Sequence, residues 1–82
     1  MVDVFYDDAF DRFLNKVKDQ SLKDQIRKLV KKIISDPELG KPMMHERKGT
    51  REVYLRHYRL SYAYLPSENR LIFLDIYHKD EQ

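Results

Sequence analysis

Three arginines in one short stretch, Arg51, Arg56 and Arg59, are the residues of this 82-residue chain with the most chemistry to offer. A guanidinium is planar and permanently charged, and its paired donors match two oxygens of a phosphate. The stretch that carries them, Lys48 to Tyr64, packs Val53, Leu55 and Leu60 with Tyr54, His57, Tyr58, Tyr62 and Tyr64 and holds no proline, so it reads as strand. Cations fixed on a strand suggest the gripping of a polyanion. The distribution of charge agrees. The net charge is only +2, but residues 1–39 hold eight basic and eight acidic side chains, and residues 60–82 sum to −2. Between them Lys41, Arg47, Lys48, Arg51, Arg56 and Arg59 face only Glu46 and Glu52. A local positive excess favours a polyanion through counterion release.

Other chemistries are poorly provided for. With no cysteine there is neither a disulfide framework nor a thiolate site, which fits a reducing cytoplasm. His45, His57 and His78 are scattered without carboxylates at ligand spacing, so no metal and no cofactor are expected. No apolar run approaches the roughly 20 residues of a membrane span, and Met1 to Phe10 lacks a basic start and an apolar centre, so the expectation is a soluble, cytoplasmic protein. Residues 1–82 are expected to form a single domain of modest stability, since a chain this short hides only about 60–65% of its unfolded surface.

The elements that position the arginines can be read in order. Val2 to Tyr6 alternates as a short strand. Asp7 or Asp8 caps a helix bearing Phe10, Phe13, Leu14 and Val17 at helical spacing. After Lys18-Asp19-Gln20, Ser21 and Asp24 resemble a capping box ahead of the stripe Leu22, Ile26, Leu29, Val30, Ile33 and Ile34. Lys23, Arg27, Lys28, Lys31 and Lys32 are left on the wet face, where they serve solubility. Asp36-Pro37 ends the helix and Gly40-Lys41-Pro42 continues as loop. Strands follow over 52–56 and 58–65, broken near His57. Pro66-Ser67-Glu68-Asn69 turns the chain into a partner strand from Leu71 to Tyr77. A loop closing from Leu65 to Arg70 pairs Ala63 with Ile72, Arg59 with Ile76 and His57 with His78, which puts Arg59 and His78 on one face. The fold class is α+β: an N-terminal strand, an antiparallel helix hairpin, then three to four antiparallel strands whose sheet the helices cover on one face.

Three motifs in this order carry a resemblance. Asp36-Pro37-Glu38-Leu39-Gly40-Lys41-Pro42 matches a helix-ending Asp/Asn-Pro followed by Gly-Lys-Pro. Arg51-Glu52-Val53-Tyr54-Leu55-Arg56-His57-Tyr58-Arg59-Leu60-Ser61-Tyr62 is similar to Arg-x-Leu-Arg-Val-Gly-x-Tyr-Arg-Leu-x-Tyr. Tyr77-His78-Lys79-Asp80 is similar to a last strand ending in His followed by Arg or Lys. Over nearly its whole length the chain resembles the RelE/ParE superfamily of bacterial and archaeal toxins, and within it the RelE-type ribosome-dependent mRNA endonucleases.

That resemblance implies the toxin of a type II toxin–antitoxin system, partnered by a RelB-like antitoxin and acting on ribosome-bound mRNA. Metal-independent cleavage through the 2′-hydroxyl needs a base, a cation for the phosphoryl oxygens and an acid for the leaving oxygen. Arg59 would be the phosphate stabiliser, Arg51 would hold the scissile region, and His78 and Lys79 would supply proton transfer and charge. Arg47, Lys48 and Arg56 would bind backbone phosphates. Tyr54 stands where the pattern has its second arginine, and no tyrosine follows His78-Lys79. The alternatives are therefore a weak or inactive homologue that binds only antitoxin or RNA, and a gyrase inhibitor of the ParE kind. Two uses stay open for Arg59, phosphate binding and an ion pair with Asp75 across the hairpin. Tyr54, Tyr58, Tyr62 and Tyr64 are likewise open to base stacking or to core packing.

Overall fold

The computed structural model of the chain describes residues 2–43 and 49–81. Strand β1 (Asp3–Tyr6) leads into helix α1 (Asp8–Lys16) and helix α2 (Gln20–Ser35). Strands β2 (Lys41–Pro42), β3 (Thr50–Leu55), β4 (Tyr58–Leu65) and β5 (Arg70–His78) complete a five-stranded sheet in the order β1-β5-β4-β3-β2. The four later strands are antiparallel, and β1 runs parallel to β5 at the far edge. The α+β reading stands, with a two-residue β2 added where loop was expected.

Local chemistry explains the boundaries. Asp7 caps α1 by accepting from the Ala9 N–H at 3.2 Å, and Asp8 and Asp11 place negative charge in the first turn, where the helix dipole favours it. The cap of α2 differs from the expected Ser21-Asp24 box. Asp19 accepts from the Leu22 N–H at 3.2 Å, so the helix starts two residues earlier, at Gln20, and the Ser21 hydroxyl is released for other use. A carboxylate three residues before an open N–H reaches it directly, without a box.

The helices cover one face of the sheet. Phe10, Leu22, Ile26, Val30 and Ile33 meet Leu60, Tyr62, Leu71, Phe73 and Ile76 in the core. In the β4–β5 hairpin the expected register holds from Leu65↔Arg70 to Tyr62↔Phe73 and then slips by one. Beyond the irregularity at Ser61/Tyr62, Ser61 pairs with Asp75, Arg59 with Tyr77 and Tyr58 with His78. Leu74 is the extra residue. Without this bulge Asp75 would take the core position that Ile76 fills. Its consequence is a correction: Arg59 and His78 do not share a face.

Candidate nucleic-acid site

Alternation along β3 and β4 sends Leu60 and Tyr62 inward, and so turns Glu52, Tyr54, Arg59 and Ser61 to the sheet face away from the helices. On that outer face Glu52 is only 5% exposed, the one buried charged residue among those described. A carboxylate is not desolvated cheaply unless charge and donors meet it. Here Arg59 does so diagonally across the β3–β4 hairpin, with Nη1 3.8 Å from Oε1, and the Tyr77 hydroxyl donates to Oε2. The Arg59 guanidinium also lies over the Tyr54 ring, 4.9 Å from its centroid. The ring itself is 64% exposed. The counter-ion of Arg59 is thus Glu52, and Asp75 instead accepts from the adjacent Ile76 N–H at 2.8 Å.

The bulge brings Tyr77 into this group by pairing it with Arg59. Sequence reasoning did not single out Glu52 or Tyr77 as site residues. One signal was present for Glu52: a glutamate in a strand one hairpin turn from an arginine forms a diagonal pair if both residues point the same way.

The other expected residues are distributed elsewhere. Arg51 faces the helix layer, and its Nη1 donates to the carbonyls of Glu38 at 3.1 Å and Gly40 at 2.8 Å. Beside it the buried Tyr62 hydroxyl donates to the Pro37 carbonyl at 2.8 Å and accepts from the Gly40 N–H at 2.7 Å. Burial holds the Tyr62 phenol above its ordinary pKa, opposed by the Gly40 N–H and the nearby Arg51 charge. Arg51 and Tyr62 together clamp the turn between α2 and β2. His78 is also on the helix side, edge-on to Tyr58 at 5.5 Å and stacked on His57 at 6.1 Å. Lys79 is exposed just past β5, its N–H donating to the His57 carbonyl at 2.9 Å.

Arg56 sits in the β3–β4 turn with φ 55°, a left-handed conformation uncommon for any residue but glycine. All three guanidinium nitrogens reach back to α2: Nε to Gln25 at 2.9 Å, Nη1 to Asp19 at 3.2 Å and Nη2 to Ser21 at 2.8 Å. These bonds hold the turn onto the helix start. Arg47 and Lys48, the remaining expected RNA-binding residues, lie outside the described residues, as does His45. Among the described residues no three His, Asp or Glu side chains gather as a metal-binding group, and no helix is long and apolar enough to cross a membrane.

Residues 4–82 match the family model of the ParE toxin of the type II toxin–antitoxin system parDE. The chain belongs to the ParE toxin family. It is thereby a type II toxin–antitoxin toxin of the RelE/ParE superfamily. Solved structures share the fold of this ParE-family chain at low identity. The YoeB/ParE toxin from Agrobacterium tumefaciens superposes with a TM-score of 0.81 at 14% identity, over 94% of this chain and 98% of that one. The RelBE2 toxin–antitoxin complex from Mycobacterium tuberculosis gives 0.77 at 23%, over 94% and 96%. The intact Escherichia coli RelBE complex gives 0.76 at 14%, over 93% and 94%. No curated protein matches the chain.

Proposed function

We propose that this toxin is a metal-independent endoribonuclease that cuts mRNA on the ribosome in the cytoplasm, with Arg59 and Glu52 at the centre of its site. One observation carries the proposal: a largely buried carboxylate, a guanidinium and a phenol contact one another on the sheet face that the helices leave open. Those are the groups that 2′-hydroxyl attack requires. Glu52 takes the 2′-hydroxyl proton, and the freed oxygen attacks the adjacent phosphorus to form a 2′,3′-cyclic phosphate as the 5′-oxygen departs. Arg59 stabilises the charge that grows on the phosphoryl oxygens. Tyr77 orients the carboxylate through its hydrogen bond. Tyr77 near the end of β5, or Lys79 just past it, returns a proton to the leaving oxygen. Arg51 and His78, on the opposite face, support the site through the fold.

The same ion pair favours a second use. If Glu52 only neutralises Arg59, the domain binds RNA or antitoxin without cutting. Adding the protein to translating ribosomes and mapping message 5′ ends, with Arg59→Ala and Glu52→Gln beside it, separates the two. A nuclease loses its cuts in both variants. A binder makes no cuts, and Glu52→Gln tightens its hold on RNA by releasing the guanidinium. Altered supercoiling by gyrase with intact message would instead support the gyrase-inhibitor alternative.

The antitoxin partner is proposed on separate grounds. Between α1 and α2 runs an apolar groove of about 510 Å³ lined by Phe10, Leu14, Ile26, Val30 and Ile34, with two basic residues, Arg27 and Lys31, against one acidic, Asp11. An amphipathic helix of a RelB-like antitoxin with an acidic flank fits that combination. Two of the similar solved structures are complexes of toxin with antitoxin, which supports the pairing.

A further inference from the structure

Tyr54 is left unexplained by the cleavage chemistry. Around the site the other aromatic side chains are used in packing: Tyr62 is fully buried, Tyr58 and Tyr64 pack against the core, and Tyr77 is committed to Glu52, while at the far edge of the sheet Phe5 and Tyr6 of β1 are exposed at 47% and 46%. Tyr54 alone on β3 and β4 is classed as exposed, at 64%. A ring this exposed gains little by burial, so packing does not account for it. One side of the ring carries the Arg59 guanidinium. The ring also borders a depression of about 400 Å³ at the β3 edge, where the two-residue β2 pairs with Arg51 and Glu52 but leaves Val53 and Tyr54 uncovered. Leu29, Leu39 and Val53 give the depression an apolar wall, Lys32 and Lys41 bring two cations to it, and Glu52, its charge met by Arg59, lines it as well.

An exposed aromatic face, an apolar slot and cations on both sides suit one occupant best. We propose that Tyr54 is a stacking platform for a nucleobase of single-stranded RNA. The base enters the depression, its neighbouring phosphates are held by Lys41 and Lys32 on one side, and the strand continues to Arg59 on the other. Bases stack on aromatic side chains irrespective of sequence, whereas the flanking charge needs the backbone polyanion. This subsite rests on RNA being the ligand of the outer face, as proposed above, but not on cleavage.

The chain contains no tryptophan, so Tyr54→Trp places a sole indole at the platform. That variant is titrated with a fully 2′-O-methylated, hence uncleavable, oligoribonucleotide and with an abasic oligomer of equal length and charge. The expected result is indole quenching by the base-bearing strand and not by the abasic one. In parallel, Tyr54→Ala weakens binding of the base-bearing strand by roughly 5- to 100-fold, Tyr54→Phe binds near wild type, and neither changes the abasic affinity. Unchanged melting temperatures show that the variants fold. Equal quenching by the abasic oligomer, or a Tyr54→Ala variant that binds as wild type does, overturns the proposal in favour of a purely electrostatic track. A response to an alternating Glu-Val peptide but not to RNA also overturns it and assigns the β3 edge to an added polypeptide strand. Message cleavage is scored separately: Tyr54-dependent binding without cuts keeps the subsite and removes the nuclease, and cuts without Tyr54-dependent binding do the reverse.

Discussion

The two faces of the β3–β4 hairpin use the same alternation for opposite ends. Toward the helices, Leu60 and Tyr62 are buried, and the polar atoms there, the Tyr62 hydroxyl and the Arg51 guanidinium, are tied to backbone groups of a single turn. Away from the helices, Glu52, Arg59 and Tyr77 are tied to one another, and Tyr54 stands open. Side chains bonded to backbone fix the fold. Side chains bonded to side chains can exchange those partners for a ligand. Two arginines eight positions apart in the sequence thus differ in kind, and identity and spacing alone do not distinguish them.

The largest expected effects fall on the outer face. Arg59→Ala lowers message cleavage by about 10²- to 10³-fold, the loss typical of removing one preorganised donor to a developing oxyanion. Glu52→Gln lowers it by about 10²- to 10⁴-fold, as for loss of a general base. Primer extension on translated message measures both. Glu52→Gln leaves no buried charge unpaired and keeps a melting temperature near wild type, whereas Arg59→Ala strips the buried Glu52 carboxylate of its counter-ion and lowers it. An Arg59→Ala protein that, assayed below its melting temperature, still cuts as wild type does would erase the distinction between the faces.

The helix face is expected to respond in stability. A Cβ at Gly40 would lie 2.7 Å from the Tyr62 hydroxyl oxygen, 2.8 Å from its Cε1 and 3.0 Å from the Arg51 Cβ. Backbone and buried ring meet there with no room to give. Gly40→Ala costs about 1–3 kcal/mol by overpacking, read from urea unfolding. Tyr62→Phe is expected to cost less, about 1–2 kcal/mol, by leaving the Gly40 N–H and Pro37 carbonyl short of a buried partner. The pH dependence has a definite sign. Burial raises the folded-state pKa of Tyr62 above its ordinary value near 10, so the unfolded chain gives up this proton first. The contribution is complete below pH 10 and is lost as pH rises through the folded-state value. Thermal melts across pH 9 to 11.5 should show that decline in wild type and a weaker one in Tyr62→Phe.

Much of this division was legible in the chain, and the losses have physical causes. The stripe from Leu22 to Ile34 fixed α2 because its period is strict, and the turn residues Pro66 to Asn69 fixed the hairpin end, where Leu65 does pair with Arg70. The bulge at Leu74 escaped because alternation looks normal on either side of it. Only the interval between buried Phe73 and Ile76, three rather than two, betrays it, with Asp75 as the residue that cannot go inward. That single insertion decided which residue joins Arg59. Arg51 and Glu52 were misleading in complementary ways. A cation in a strand suggests a ligand and a carboxylate there suggests solvent, yet the carbonyls that hold Arg51 and the phenol that meets Glu52 come from segments too distant for spacing to register.

Arg56 provides the smallest and most discriminating test. It belongs to neither face, and its charge counts toward a basic surface only if its guanidinium is free. The three bonds to Gln25, Asp19 and Ser21 imply that it is not. Asp19 is held below the ordinary carboxylate value, first by the Leu22 N–H at the helix cap and further by Arg56. Its contribution is therefore present above about pH 4 and is lost on further acidification. These groups are exposed, where ion pairs count for little, so Arg56→Ala should lower the melting temperature by only a few degrees. Part of that decrease should vanish as pH falls through the lowered folded-state value of Asp19 and its carboxylate is protonated. RNA affinity should stay close to wild type, in contrast to Arg59→Ala. A large loss of RNA affinity with no change in melting temperature would mean that Arg56 leaves α2 to meet the ligand, and the outer face would then extend around the hairpin tip.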